Sequence, residues 1–130
     1  GLGDVYKRQE VACKNPYVRH IAHPTGRIIG RRPGYKPNIE KLMKLAEETN
    51  TILEINANPK RLDLNAETVR KYPNVKLTIN TDAHHTNHLE FMKYGVATAQ
   101  KGFVTKDRVV NALSREEFKS LIENNIKLRK

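Results

Sequence analysis

Short apolar runs alternate along the chain with segments in which apolar residues recur every three or four positions. The runs at 18–22, 51–56 and 75–80 predict β-strands, and the glycine- and proline-rich segment 27–37 predicts a loop. Helical spacing over 39–49 predicts an amphipathic helix whose buried stripe contains Ile39, Leu42, Met43 and Ala46. Strands that alternate with helices are typical of a parallel α/β sheet.

Capping residues place two further helices. Asn65 is a suitable N-cap for a short helix over 66–71. Asn87 and Glu90 have the spacing of a capping box, which predicts a helix from there to a glycine stop at Gly102, with a break at Gly95.

A last helix is predicted after Ser114, because Ser114 and Glu117 repeat the capping-box spacing. The apolar residues of this helix that are expected to face inward are Phe118, Leu121 and Ile122.

Composition limits the class of protein. A chain of 130 residues with 38% apolar residues forms one domain at most. No run approaches the ~20 apolar residues of a membrane span, and none resembles a secretory signal, so we expect a soluble, cytoplasmic protein with no membrane partner. The single cysteine, Cys13, excludes an internal disulfide and a cysteine-based zinc site and is expected to be a packing residue.

The formal net charge of +10 is high for this length. It indicates a polyanionic partner such as nucleic acid. A generally basic, solvated surface is the alternative that charge alone leaves open.

Residues 1–9 are expected to be foreign to the fold. The segment 4–9 resembles the in-frame translation of a sequencing-library transposon adapter, and no initiator methionine precedes it. The native sequence is therefore expected to span 10–130, with the gene truncated upstream.

Ligand-type side chains follow each predicted strand. His23 follows the first, Glu54 and Asn56 end the second, and Asp82 and His84 follow the third. The carboxyl ends of parallel strands lie at one edge of a sheet, where these groups would converge. Imidazole and carboxylate without thiolate suit manganese, zinc or iron. The alternative is a loop in which Asp82 caps the next helix and His84 is merely solvated.

Basic residues occupy the loops that leave these strand ends, namely Arg27, Arg31, Arg32, Lys60 and Arg61. Guanidinium groups match phosphate oxygens bidentately. A metal site beside them indicates phosphoester hydrolysis. Each arginine taken alone is better explained as solvated, and it is their clustering at one edge that favours substrate binding.

Three motifs together resemble a known family. They are His-Pro-Thr-Gly-Arg at 23–27, Leu-Glu-Ile-Asn-Ala-Asn-Pro-Lys-Arg-Leu-Asp-Leu at 53–64, and Ile-Asn-Thr-Asp-Ala-His at 79–84. The stretch from about Val18 to Phe118 resembles the C-terminal half of a polymerase and histidinol phosphatase (PHP) domain, in particular the version attached to bacterial and archaeal family X DNA polymerases.

The resemblance implies the C-terminal part of a distorted (β/α)7 barrel, and an activity as a 3′-5′ exonuclease or phosphoesterase in DNA repair. It implies a divalent-metal site for Mn²⁺ or Zn²⁺, with up to three ions in the complete domain. By the family pattern His23, Asp82 and His84 are metal ligands and catalytic residues, while Glu54 and Asn56 orient them. The histidines that match no ligand position are His20, His85 and His88.

The early ligands of the family, which include a His-x-His motif, have no counterpart here, and a typical (β/α)₈ barrel takes ~250 residues. The chain is therefore expected to be an incomplete barrel, inactive alone, whose parent joins a polymerase domain and binds single-stranded or gapped DNA. Two alternatives remain open: a stand-alone phosphatase for a small phosphomonoester such as histidinol phosphate, and a non-catalytic PHP module that positions DNA.

Overall fold

The computed structural model describes the backbone of residues 2–129 and the side chains of residues 5–35 and 38–124. Helices and strands alternate over most of this range. In chain order they are α1 (Leu2–Lys14), β1 (His20–Ile21), α2 (Lys36–Thr49), β2 (Ile52–Asn56), α3 (Ala66–Lys71), β3 (Leu77–Asn80), α4 (Met92–Lys101) and α5 (Arg115–Arg129). Three 3₁₀ helices, Thr86–Phe91, Lys106–Arg108 and Val110–Ala112, lie between β3 and α5.

The three strands form a parallel sheet in the order β1-β2-β3, as the alternating pattern predicts. Every residue of the central strand β2 is buried. Leu53 and Ile55 belong to the apolar core. Glu54 and Asn56 lie on the opposite face of the strand, where hydrogen bonds join them to each other and Glu54 to the His23 backbone. The α/β class and the three strands are therefore confirmed. The edge strand β1 is shorter than the predicted 18–22.

The core lies between the sheet and α2. Leu42, Met43 and Ala46 are at most 1% exposed, and Cys13 of α1 is fully buried beside them. The predicted helical stripe and the packing role of Cys13 are confirmed. α2 begins at Lys36 rather than at 39, since Pro37 stands in its first turn, where a missing N–H costs nothing.

The predicted cap of α3 is confirmed: the Asn65 side chain accepts a hydrogen bond from the Thr68 backbone N–H at 2.9 Å. The N-terminal helix α1 was not predicted. It packs against α2 and runs through residues 2–9, which the sequence had suggested setting aside.

The helix boundary predicted from Asn87 and Glu90 is wrong. His85 is the N-cap of the 3₁₀ helix Thr86–Phe91, since its side chain accepts from the Asn87 N–H, and α4 begins afterwards at Met92. No break occurs at Gly95, although the stop at Gly102 is confirmed.

Gly95 is a point of close approach rather than a break. A Cβ at this position would lie 2.8 Å from Ala57 Cβ and closer still to Ile79 Cγ2. The missing side chain thus lets α4 press directly onto the sheet.

In the last helix, Ser114 Oγ accepts from the Glu117 N–H at 3.2 Å, so the predicted cap is present. Phe118 does not face inward, because it is 45% exposed. Leu121 and Ile122 are half-buried.

Arg108, to which the sequence assigned no role, is buried between α3 and β3. Its guanidinium donates to the carbonyls of Val69, Tyr72 and Val75 at 2.9–3.2 Å. The carbonyls of Val69 and Tyr72 lie at the C-terminal end of α3, where no backbone N–H of the helix is available to them. Arg108 therefore joins the end of α3 to the start of β3.

No helix within the described residues combines the length and the apolar character that crossing a bilayer requires.

Candidate active site

The carboxyl ends of β2 and β3 carry a network of buried polar side chains around Glu54. Strand register sets Asn56 beside Asn80. The Glu54 carboxylate accepts from the Asn56 amide at 2.9 Å and from the Asn80 amide at 3.0 Å. It also accepts from the His23 backbone N–H at 3.0 Å. Three donors thus satisfy a carboxylate that is 5% exposed, as a buried charge requires.

Asn56 connects this network to Asp82. The second hydrogen of its amide nitrogen donates to Asp82 Oδ2 at 3.2 Å, while its side-chain oxygen accepts from the Asn58 N–H at 3.0 Å. Asn56 therefore lies between two carboxylates and donates to both of them.

Asp82 and His84 are adjacent at the sheet edge. His84 Nδ1 lies 2.7 Å from the Asp82 carbonyl oxygen and 3.9 Å from its carboxylate. The contact with the carbonyl favours the tautomer with hydrogen on Nδ1. In that tautomer the Nε2 lone pair can accept a proton or bind a metal ion.

The backbone is strained where β1 and β3 end. His23 has φ +30° and Asp82 has φ +54°, a left-handed region that side chains disfavour by roughly 1–3 kcal/mol. Both residues are held by the Glu54 network, His23 through its N–H and Asp82 through Asn56. Such strain is concentrated at functional sites.

Asp63 anchors the loop after β1 and was missed as a site residue. Its fully buried carboxylate accepts from the backbone N–H groups of Thr25 and Gly26 at 3.0–3.2 Å. Burial raises the pKa of Asp63 above its ordinary value, and these hydrogen bonds oppose that rise. The residue lies within the 53–64 motif, but nothing in the spacing distinguishes it.

Asp82 and His84 line an open cleft of about 480 Å³. Its cationic side chains are Arg31, Lys60 and Arg61, and its remaining lining residues are Ile28, Ile29, Gly30 and Asn58. Arg61 Nε lies 3.6 Å from Asp82 Oδ2. Three cations face one carboxylate, so the cleft attracts anions.

The predicted phosphate-binding arginines divide into two pairs. Arg31 and Arg61 line the cleft. Arg27 donates through Nε to the Arg61 carbonyl at 2.6 Å and through Nη2 to the Leu62 carbonyl, and Arg32 donates to the Gly26 carbonyl at 2.9 Å. Arg27 and Arg32 thus brace the loops that carry the other pair.

Among the described residues, no three His, Cys, Asp or Glu side chains are grouped closely enough to hold a metal ion. The predicted ligands are brought together in part: Asp82 and His84 share the cleft, whereas His23 is not among its lining residues. The donors themselves fit a divalent ion, because a carboxylate and an imidazole with a free Nε2 are the oxygen and nitrogen ligands that manganese and zinc accept. The assignment of His23 stays a prediction.

The remaining histidines have structural contacts. His20 Nε2 lies 2.7 Å from Thr78 Oγ1, and burial lowers the pKa of His20. His85 caps the 3₁₀ helix, and His88 Nδ1 accepts from the His84 N–H at 3.1 Å.

Comparison with known proteins gives one strong similarity. No protein-family model matches the chain. The chain is 48% identical over 123 residues to a protein of Bacillus subtilis (strain 168) described as DNA polymerase/3'-5' exonuclease PolX. The match covers 93% of this chain but only 22% of that protein, at its C-terminal end. The resemblance predicted from the three motifs is thereby confirmed.

Proposed function

We infer from this match that the chain is the C-terminal part of a PHP domain of the kind that family X DNA polymerases carry, and we propose that this domain acts in its parent as a metal-dependent 3′-5′ exonuclease. The observation that carries the proposal is the cleft in which Asp82 and His84 lie beside Arg31, Lys60 and Arg61. Ligand-type donors next to clustered cations are the arrangement that phosphodiester hydrolysis needs.

The cations of the cleft would bind and orient the DNA backbone. Arg31 and Arg61 can each donate two parallel hydrogen bonds to one phosphate, and Lys60 adds a point charge. Arg61 lies beside the Asp82 carboxylate. A phosphate that enters the cleft would replace Asp82 as the hydrogen-bond acceptor of the Arg61 guanidinium.

Asp82 and His84 would hold the divalent ion, Mn²⁺ or Zn²⁺, with His23 as the predicted third ligand. When bound, such an ion polarises a phosphoryl oxygen and lowers the pKa of a bound water. Glu54 and Asn56 would act through their neighbours: Asn56 holds the Asp82 carboxylate, and Glu54 holds Asn56 and the backbone of His23.

The parent is proposed to join this domain to a polymerase domain and to act on single-stranded or gapped DNA during repair in the cytoplasm. The name of the relative, which includes both polymerase and exonuclease, supports this proposal. The excess of positive charge on the chain also supports a nucleic-acid partner.

The test is Asp82→Asn in the full-length parent. The amide keeps the volume and can still accept from Asn56, but it loses the negative charge that holds a metal ion. We expect manganese-dependent 3′-5′ degradation of a labelled oligonucleotide to fall by at least about 100-fold, while nucleotide addition and the thermal midpoint change little.

Asp107→Asn is the matched control, because Asp107 is exposed and does not line the cleft. It should leave degradation unchanged. Undiminished nuclease activity in the Asp82→Asn enzyme would refute the assignment of the cleft as the hydrolytic site.

Salt dependence separates DNA from a small phosphomonoester as the substrate. Contacts to several phosphates release several counterions, so the affinity for DNA should fall steeply as salt rises. A nearly flat dependence, together with hydrolysis of histidinol phosphate, would favour the small-molecule phosphatase instead.

A further inference from the structure

After β3 and the pair Asp82 and His84, four aromatic side chains recur at intervals of three residues: His85, His88, Phe91 and Tyr94. In a 3₁₀ helix residues i and i+3 are eclipsed, so the helix Thr86–Phe91 brings His88 and Phe91 into line, with His85 at its N-cap and Tyr94 in the following helix α4. Successive ring centroids are 5.9, 4.8 and 6.0 Å apart, and the rings of His88 and Phe91 are stacked. We refer to these four residues as the aromatic row.

Burial in the core does not account for the aromatic row. No residue of the 3₁₀ helix is buried: His88 and Phe91 are partly exposed, His85 is exposed, and Tyr94 is 41% exposed. The neighbouring Leu89 and Met92 are also exposed. Apolar and aromatic groups that are contiguous on a surface indicate an interaction site.

The aromatic row begins at the rim of the cleft. His88 Nδ1 accepts a hydrogen bond from the backbone N–H of His84, and the side chain of His84 lines the cleft. At the far end, Lys93 Nζ lies 5.2 Å from the centroid of the Tyr94 ring. The aromatic row thus extends from the candidate hydrolytic site toward a cation.

We propose that the aromatic row is a stacking platform for the unpaired bases of a single DNA strand whose 3′ end enters the cleft. Every base has a π face, so stacking on exposed rings holds a strand regardless of its sequence, while nearby cations follow the phosphates. An enzyme that removes nucleotides one after another from a 3′ end must bind the strand whatever its base sequence. The inference rests on the proposed function, because it takes the cleft as the place where the 3′ end reacts.

The test compares two oligonucleotides of equal length and charge, a thymidine 12-mer and an abasic 12-mer, bound to the full-length parent in EDTA so that no hydrolysis occurs. The double variant Phe91→Leu/Tyr94→Leu removes two rings but keeps apolar volume. We expect its affinity for the thymidine strand to fall by roughly 5- to 150-fold for each lost stack. Its affinity for the abasic strand should change by less than about twofold.

Two control variants isolate the rings. The exchange Phe91→Tyr/Tyr94→Phe keeps both rings and should retain affinity for the thymidine strand. Phe103→Leu removes an aromatic ring that is 68% exposed but lies against Arg70 instead of in the aromatic row, and it should have no effect. Thermal midpoints of all variants establish that each is folded.

The outcomes are distinct. Equal weakening for both strands, or no weakening for the thymidine strand, would overturn the stacking platform. Degradation that survives such a result would leave the hydrolytic proposal intact. Conversely, base-dependent binding in a parent that degrades no DNA would support the platform while refuting the exonuclease.

Discussion

Replacing Asn56 by aspartate should destabilise the protein severely and make its stability depend on pH. Asn56 Nδ2 donates to Glu54 Oε1 at 2.9 Å and to Asp82 Oδ2 at 3.2 Å. Asn56→Asp has almost the same shape, but it sets a third carboxylate between these two and turns two attractive contacts into two repulsive ones.

The magnitude follows from the distances. Two unit charges about 4 Å apart interact by about 4 kcal/mol at the effective dielectric of protein sites, and the new carboxylate faces two of them. If the new carboxyl group binds a proton in the folded state, the repulsion disappears, so the cost of keeping it protonated sets the upper limit of the destabilisation. Keeping a carboxyl with an ordinary pKa of ~3.9 protonated at pH 7 costs about 4 kcal/mol, since each pH unit corresponds to ~1.4 kcal/mol. We therefore expect a loss of about 4 kcal/mol at pH 7, a large share of the stability of a typical domain.

Proton binding by the new carboxyl group also sets the direction in which stability changes with pH. In the folded variant the pKa of the new carboxyl is raised, so the folded state binds a proton that the unfolded state has released. Stability should be lost as pH rises from about 4 and regained on acidification, with roughly 3 kcal/mol between pH 7 and pH 5.

Urea unfolding at pH 5, 6 and 7 measures this dependence. Asn74→Asp is a matched control, because the Asn74 amide also donates to a carboxylate, Glu47, at 3.0 Å, but on the exposed surface. Water and salt screen the repulsion there, so its effect should be far smaller. Equal stability of Asn56→Asp and wild type at pH 7 would refute the described network.

Three further substitutions test other contacts. Arg108→Met removes three hydrogen bonds made by a buried guanidinium and should lower the free energy of unfolding by about 3 kcal/mol in urea titrations. The control Arg115→Met, on the surface, should change that free energy by less than about 0.5 kcal/mol. Gly95→Ala gains ~1 kcal/mol of helix propensity, but the new methyl group overpacks the contact between α4 and the sheet at a cost of ~1–3 kcal/mol. Calorimetry should therefore show a lower thermal midpoint. A higher midpoint would contradict the close approach of α4 to the sheet. Burial lowers the pKa of His20 below 6.5, so the unfolded state takes up the proton first and the stability of the protein falls as pH drops below about 6.5. His20→Gln should reduce this loss of stability between pH 7 and pH 5, as measured by unfolding experiments at both values. An unchanged loss would show that His20 does not cause it.

Features that depend on neighbours along the chain could be predicted from the sequence. Helical spacing located the buried stripe of α2, the short range of an N-cap contact located Asn65, and the alternation of elements predicted the parallel sheet. The same reasoning placed Asp82 and His84 at the edge of that sheet, because the end of a strand is visible as the end of an apolar run. The motifs indicated a resemblance to family X polymerases, and the chain is 48% identical over 123 residues to a protein described as DNA polymerase/3'-5' exonuclease PolX.

Features that depend on contacts between distant segments required the tertiary structure. Asp63 and Arg108 are charged residues that nothing in their sequence neighbourhood marks for burial, yet both are buried, since backbone groups more than 30 residues away complete their hydrogen bonds. For the same reason the sequence could not separate Arg27, which holds the carbonyls of the opposite loop, from Arg61, which faces the cleft. Side-chain type determines which contacts are possible, but the packing of the loops decides which partner each side chain meets.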